Sequence, residues 1–351
     1  MNPGRRFSIL SPVLMGLLLA LTLGCRPSET ARNSDIYPQD KADNTSTDST
    51  AQSSQDTTDA PLNNGEFRDV LNEFMGLNER LERIASRIKI ANADLCDFTE
   101  NDIGLSTHTL NDYPQELQGA AQHYLNVGQG LTVRTVRPES PAHKAGLRTG
   151  DQIISINDAP LRDGPLFADP KLAGSIAKAV FHKTLDNVAL TDKAIIDYQR
   201  GGSTRQSELA VTPKCKLPVT LFFSEDINGH LIDDEIWMTS GLLQTIREDV
   251  RVAYIMAHEM AHALRGHSDA HTPVIELDAD SAGLIILARA GYDPDELATF
   301  WAEQIDLFDG GDIGSNSHPD LITRKDNYLS TLSRIKQTRL DDDQLRDLFL
   351  K

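Results

Sequence analysis

Read for apolar and polar positions alone, the chain divides into stretches of different period. An apolar run from Val13 to Leu23, broken at Gly16, follows Arg5 and Arg6. From Arg26 to about Asn64 large apolar residues are nearly absent. Such a segment cannot bury enough surface to offset the entropy of ordering, so a disordered tether is expected. As a flexible coil it would span about 35 Å end to end. The pattern then turns helical. Phe67, Val70, Leu71, Phe74, Leu77, Leu81, Ile84, Ile88 and Ala91 recur at three- and four-residue spacing, which predicts one long packing helix from Glu66 to Ala93.

The next stretch has the shorter period of strands. Ile103-Gly104-Leu105 opens an extended segment to Leu110. Val133 to Asp158 reads as strand, Pro-Glu-Ser-Pro turn, short helix, Gly-Leu turn and strand. Ala168 to Phe181 reads as a helix; Ala194 to Tyr198 and Ser207 to Val211 read as strands joined at Gly201-Gly202. Beyond Cys215, Val219 to Ser224 is a strand, Asp226 to His230 a turn and Glu235 to Thr239 a second extended run, after which Ser240 starts a helix. A helix from Asp249 to Arg265 buries Val250, Ala253, Tyr254, Ala257, Ala261 and Leu264 and stops at Gly266. Thr272 as cap and Pro273 as first residue begin another, which runs to Ala290. Leu321 to Lys336 is a last helix, and Asp341-Asp342-Asp343 reads as a solvated tail.

At 351 residues the chain has room for two domains. Its net charge of −18 argues against a nucleic-acid partner. The run Val13–Leu23 is too short to span a bilayer and reads as an export signal. Leu21-Thr22-Leu23-Gly24-Cys25 resembles a bacterial lipoprotein cleavage site, which implies that Cys25 becomes a lipidated first residue. Arg26 after it implies sorting to the outer membrane, facing the periplasm. Thr22 stands where that pattern has a leucine-like residue, so a plainly cleaved signal stays open.

There are three cysteines. With Cys25 taken by lipid, Cys96 and Cys215 flank the strand-rich stretch, and in an oxidising compartment they are expected to pair. Two unpaired buried thiols are the competing reading. The bridge would fasten both ends of an inserted module and contribute about 4–5 kcal/mol.

The chemistry is concentrated in His258-Glu259-Met260-Ala261-His262. On a helix the two histidines share a face, so both imidazoles reach one zinc, with Glu259 placed as a base for water. A catalytic zinc needs a third protein ligand, and His267, His271 and Glu276 are candidates. The longer pattern, with glycine three and histidine six residues after the second histidine, is absent: Arg265 and Ser268 stand there. Glu276 falls near the start of the next helix with Asp280 one turn on, a placement that suits a ligand plus a carboxylate orienting an imidazole.

Two resemblances follow from these motifs. Ser140 to Asn157 resembles the core signature of a PDZ domain, and Ile103-Gly104-Leu105 the loop that captures a peptide's C-terminal carboxylate. That resemblance implies a module that adds a peptide to a sheet edge. Ile227-Asn228-Gly229, Ile236 to Leu243, His258 to His262 and Glu276-Leu277-Asp278-Ala279-Asp280 together resemble the gluzincin metallopeptidases of the HtpX and CAAX-prenyl-protease type. This implies zinc at His258, His262 and Glu276, with Glu259 as base. Only 13 residues separate His262 from Glu276, which leaves little room there for a lid. Ser317-His318-Pro319 with Arg324 matches a late element of that family and implies that His318 approaches the metal, as oxyanion donor or as occupant of the open position.

The expected architecture is α+β. It has a signal peptide over 1–25, a linker over 26–64, and a helix over 65–95 that packs on the protease domain. A PDZ-like β-sandwich or barrel covers 96–215, and a mainly helical gluzincin metallopeptidase domain with a small sheet covers 216–351. The expected function is a lipid-anchored zinc endopeptidase of the bacterial envelope. It would act on protein substrates, take a peptide ligand in the PDZ groove and bind no nucleic acid. The alternative is an envelope chaperone or assembly factor with rare or self-inhibited cleavage.

Overall fold

The computed structural model describes residues 64–267, 272–297 and 319–351. The leader, Cys25, the linker before residue 64, His271 and His318 lie outside the described residues.

Helix α1 (Asn64–Ala91) is long enough, about 42 Å at 1.5 Å per residue, to serve two cores. Near its start Leu71 packs with Leu110, Tyr113, Leu117, Ala121 and Val127 around α2 (Gln115–Leu125). Toward its end Leu81, Ile84, Ala85 and Ile88 enter the core of the C-terminal unit. Each such buried leucine or isoleucine side chain is worth about 1.5–3 kcal/mol. The helix therefore belongs to both halves, where the sequence reading gave it to the C-terminal one alone. Buried Asn92 closes it, donating from Nδ2 to Ile88 O at 2.9 Å and Ile286 O at 3.1 Å.

The inserted module hangs from a two-stranded stalk, β1 (Thr99–Asp102) antiparallel to β8 (Thr212–Cys215). Cys96 and Cys215 are joined at its foot by a disulfide, their Cα atoms 5.6 Å apart. Above it, β2 (Leu105–His108), β3 (Thr132–Val136), β4 (Gln152–Ile156), β6 (Lys193–Arg200) and β7 (Ser203–Ala210) form an antiparallel sheet in that order, with β5 (Ala159–Pro160) on β4. The turn α3 (Pro141–Lys144) and helix α4 (Pro170–Asp186) complete the module, whose core includes Ile103, Leu131, Val133, Ile153, Ile156 and Phe181.

The C-terminal unit starts with β9 (Val219–Phe222), β10 (Gly229–Ile232) and β11 (Glu235–Thr239); β11 lies in the middle, parallel to β9 and antiparallel to β10. Helices α5 (Ser240–Thr245), α6 (Asp249–Arg265), α7 (Pro273–Arg289), α8 (Leu321–Gln337) and α9 (Asp342–Phe349) follow. From Ala282 to Ala288 every residue of α7 is buried, the pattern of a helix surrounded by others. Both units mix helix and sheet, and the fold class is α+β. Among the described residues no helix is long and apolar enough to cross a membrane.

Three elements differ from the sequence expectation. Residues Gly229 and His230 belong to strand β10, where a turn was expected. Helix α2 was not anticipated, because it buries only Leu117 and Ala121. The acidic tail is exposed, as expected, but is also a helix start: Asp341 caps α9 by accepting from Gln344 N, and Asp342 pairs with Arg289 Nε at 2.8 Å.

Candidate metal centre

Helix α6 presents His258 and His262 one turn apart, and their Nε2 atoms lie 3.1 Å from each other. Helix α7 supplies the third group from its first turn. Thr272 caps it, accepting from Ile275 N, and Pro273 stands inside the cap. Glu276 is 1% exposed and aims its carboxylate at both imidazoles, with Oε2 3.4 Å from His258 Nε2 and Oε1 3.8 Å from His262 Nε2.

Two ring nitrogens and a carboxylate oxygen converge within 4.8 Å of one another. Ligands of a tetrahedral zinc at about 2.0–2.1 Å stand about 3.3 Å apart, so these spacings fit one such ion. A buried carboxylate facing two imidazoles is costly unless a cation satisfies all three. The electrostatics agree. Burial works against a charged His258, but Asp280 and Glu276 outweigh it and push its pKa up to about 10. The site thus favours positive charge at this point, and a divalent ion would displace that proton.

The approach of α6 and α7 depends on Gly283. A Cβ there would lie 2.9 Å from the backbone N and Cα of His258. Backbone cannot yield as a flexible side chain can. Gly283→Ala is expected to lower the unfolding free energy by about 1–3 kcal/mol, read as a fall in the urea midpoint.

Behind His258 stands Asp280, whose Oδ1 is 3.1 Å from Nδ1 of the imidazole, off the line of an ideal N–H bond. Tyr254, one turn before His258, donates its hydroxyl to Asp280 Oδ1 at 3.1 Å. Arg324 of α8 grips Asp280 with both Nε (2.8 Å) and Nη2 (2.6 Å). Burial disfavours the ionised carboxyl, yet the Arg324 guanidinium, with His258 beside it, holds Asp280 well below the usual carboxylate range. Glu259, next in sequence to His258, reaches the sheet edge, where its Oε2 accepts from Leu231 N of β10 at 2.8 Å. His267 is not part of the converging set; its Nε2 lies 3.1 Å from Asp278 Oδ2.

In the inserted module Ile103 is in the core, and Gly104 and Leu105 line a cavity of about 320 Å³ between β2 and α4. The carbonyl of Gly104 accepts from Arg137 N and Ser140 Oγ. Helix α1 forms the far wall, where Glu82 bonds Arg134 and Thr135 of β3. Sequence reasoning missed Tyr254, Leu231 and the partnership of His267 with Asp278. Of these only Tyr254 had a signal, its spacing of one turn from His258.

Residues 227–275 match the model of peptidase family M48, and residues 132–167 match that of the PDZ domain. Serine protease HTRA3 of Mus musculus is 30% identical over 87 residues, which cover 24% of this chain and 18% of that protein. The chain therefore spans less than a fifth of the length of that curated relative. Among solved structures, the HtrA3 PDZ domain bound to a phage-derived ligand aligns with TM-score 0.24 and 19% identity, over 33% of this chain and 89% of that chain. The HtrA-type protease AlgW with tripeptide aligns with TM-score 0.23 and 20% identity, over 33% of this chain and 32% of that chain. The chain matches a family M48 peptidase with a PDZ domain inserted.

Proposed function

We propose that this family M48-type chain is a zinc-dependent endopeptidase of the bacterial envelope, which hydrolyses peptide bonds in protein substrates. The observation that carries the reading is the convergence of His258, His262 and Glu276, with Glu259 beside them and anchored by Leu231 N. Zinc held by those three residues supplies Lewis acidity, acidifying water and polarising a carbonyl. Glu259 takes the water's proton and delivers it to the leaving amine. Asp280, fixed by Arg324, keeps His258 oriented. Strand β10 is the edge of its sheet and passes Glu259, so an extended substrate lies along it by main-chain pairing. His318, which lies outside the described residues, would supply either a hydrogen-bond donor to the developing oxyanion or a further ligand to the metal.

The inserted module takes the C-terminal segment of a peptide against β2, the edge strand beside the cavity lined by Gly104 and Leu105. Export and anchoring through Cys25 are supported by the apolar run before it and by the Cys96–Cys215 disulfide, a bond that persists in oxidising compartments. The outer membrane, facing the periplasm, is the location proposed.

Metal analysis of the purified protein with casein as substrate tests the reading. Stoichiometric zinc is expected, lost in Glu276→Ala, and chelation is expected to stop casein cleavage. Zinc-free protein, or cleavage indifferent to chelator, would overturn it.

A further inference from the structure

His262 uses Nε2 toward His258 and Glu276, which leaves its other ring nitrogen to be accounted for. That atom, Nδ1, lies 3.1 Å from Nδ1 of His267, and the two rings meet at 72° with centroids 5.1 Å apart. Nε2 of His267 lies 3.1 Å from Oδ2 of Asp278. Arg265 grips both oxygens of Asp278, donating from Nε to Oδ2 at 3.0 Å and from Nη2 to Oδ1 at 2.9 Å. Its Nη1 reaches Phe349 O, 3.0 Å away at the end of α9.

The local chain explains the reach. Helix α6 ends on Gly266 in the left-handed region, φ 63, and His267 N then donates to His262 O at 3.0 Å. That reversal folds residue 267 back over the last helical turn, a conformation that suits glycine at 266.

Proton placement gives the arrangement a direction. An imidazole that binds a cation through Nε2 carries its proton on Nδ1. That proton needs an acceptor, and Nδ1 of His267 is in place to be one. His267 then holds its own proton on Nε2 and donates it to the Asp278 carboxylate, which accepts only. We propose that His267, backed by Asp278, is a positioning residue that fixes the tautomer and ring orientation of His262 and so tightens the zinc site. This rests on the metal-site reading above. His258 is braced by a carboxylate directly, whereas His262 is braced through a second imidazole.

The test compares full-length wild type, His267→Phe and His267→Asn. Zinc affinity is measured by competition with a chromophoric chelator, and coordination geometry by the visible absorption of the Co²⁺-loaded proteins. Phenylalanine fills the space without an acceptor and is expected to lose about 10–100-fold in zinc affinity, with altered cobalt bands. Asparagine puts an oxygen near the lost Nδ1 and is expected to stay within a few-fold of wild type. Should His267→Phe fail to fold, Asp278→Leu, which removes the acceptor for His267 Nε2, reads the same chain from its other end and is expected to lose at least tenfold.

Tight zinc in the wild type with unchanged affinity in His267→Phe, or in Asp278→Leu, overturns this inference alone. So does equal loss in the Asn and Phe variants. A wild type that binds no zinc overturns the metal-site reading and this inference with it.

Discussion

Replacing Glu259 with glutamine is expected to lower kcat/KM for casein by roughly 10²–10⁴-fold while the protein keeps its zinc. The side chain keeps its length, and its amide oxygen still accepts from Leu231 N, so the local structure has no cause to move. What is lost is the ability to take up a proton. Glu259 is outside the converging set of His258, His262 and Glu276, so metal content should not follow activity down. Hydrolysis and metal analysis on one preparation separate the two effects. An active glutamine variant would remove Glu259 from the chemistry, and a zinc-free one would make it part of the metal's support.

The second large effect is on stability. Replacing Cys96 and Cys215 together by alanine is expected to lower the unfolding free energy by about 4–5 kcal/mol, because the bridge closes a loop across a sequence separation of 119. Alanine is the better replacement, since Cys215 is 0% exposed in the apolar core and serine would bury a hydroxyl there. The bridge sits at the foot of the β1–β8 stalk, where the inserted module leaves and rejoins the C-terminal unit. Urea unfolding of the double variant, and of wild type with and without reductant, measures it. A shift below about 1 kcal/mol would mean that the unfolded chain keeps the ends of the loop close without the bridge, or that the bridge strains the native stalk.

The three converging residues were legible because they depend on short-range geometry. His258 and His262 are one helical turn apart, and Glu276 follows a cap and a proline that mark a helix start. What the sequence hid depends on contacts between distant segments. Leu231 reaches Glu259 from a strand whose first two residues read as a turn, because its pairing with β11 and its nearness to α6 are tertiary. His267 was open as a metal ligand by proximity in sequence, and the left-handed turn at Gly266 sends it to the opposite nitrogen of His262. Helix α2 is short, buries only Leu117 and Ala121 fully, and is completed by Leu71, far upstream. The three aspartates of the tail read as solvent-facing, and they are exposed; they also stand at a helix N-terminus, where negative charge is favoured, and Leu345 and Phe349 one turn apart were the missed signal of that helix.

Helix α1 bears on where this chain can be divided. A cut at residue 96 or 215 looks natural on a linear map, since one boundary lies on each side of the inserted module. A fragment starting at Lys216 would leave behind Leu81, Ile84 and Ile88 and open the core that supports α6 and α7. A fragment from Asp97 to Cys215 would lose Leu71 and bare the apolar face of α2. Severing the chain at its apparent seams therefore exposes apolar surface on both pieces. The molecule has two working parts but a single indivisible frame.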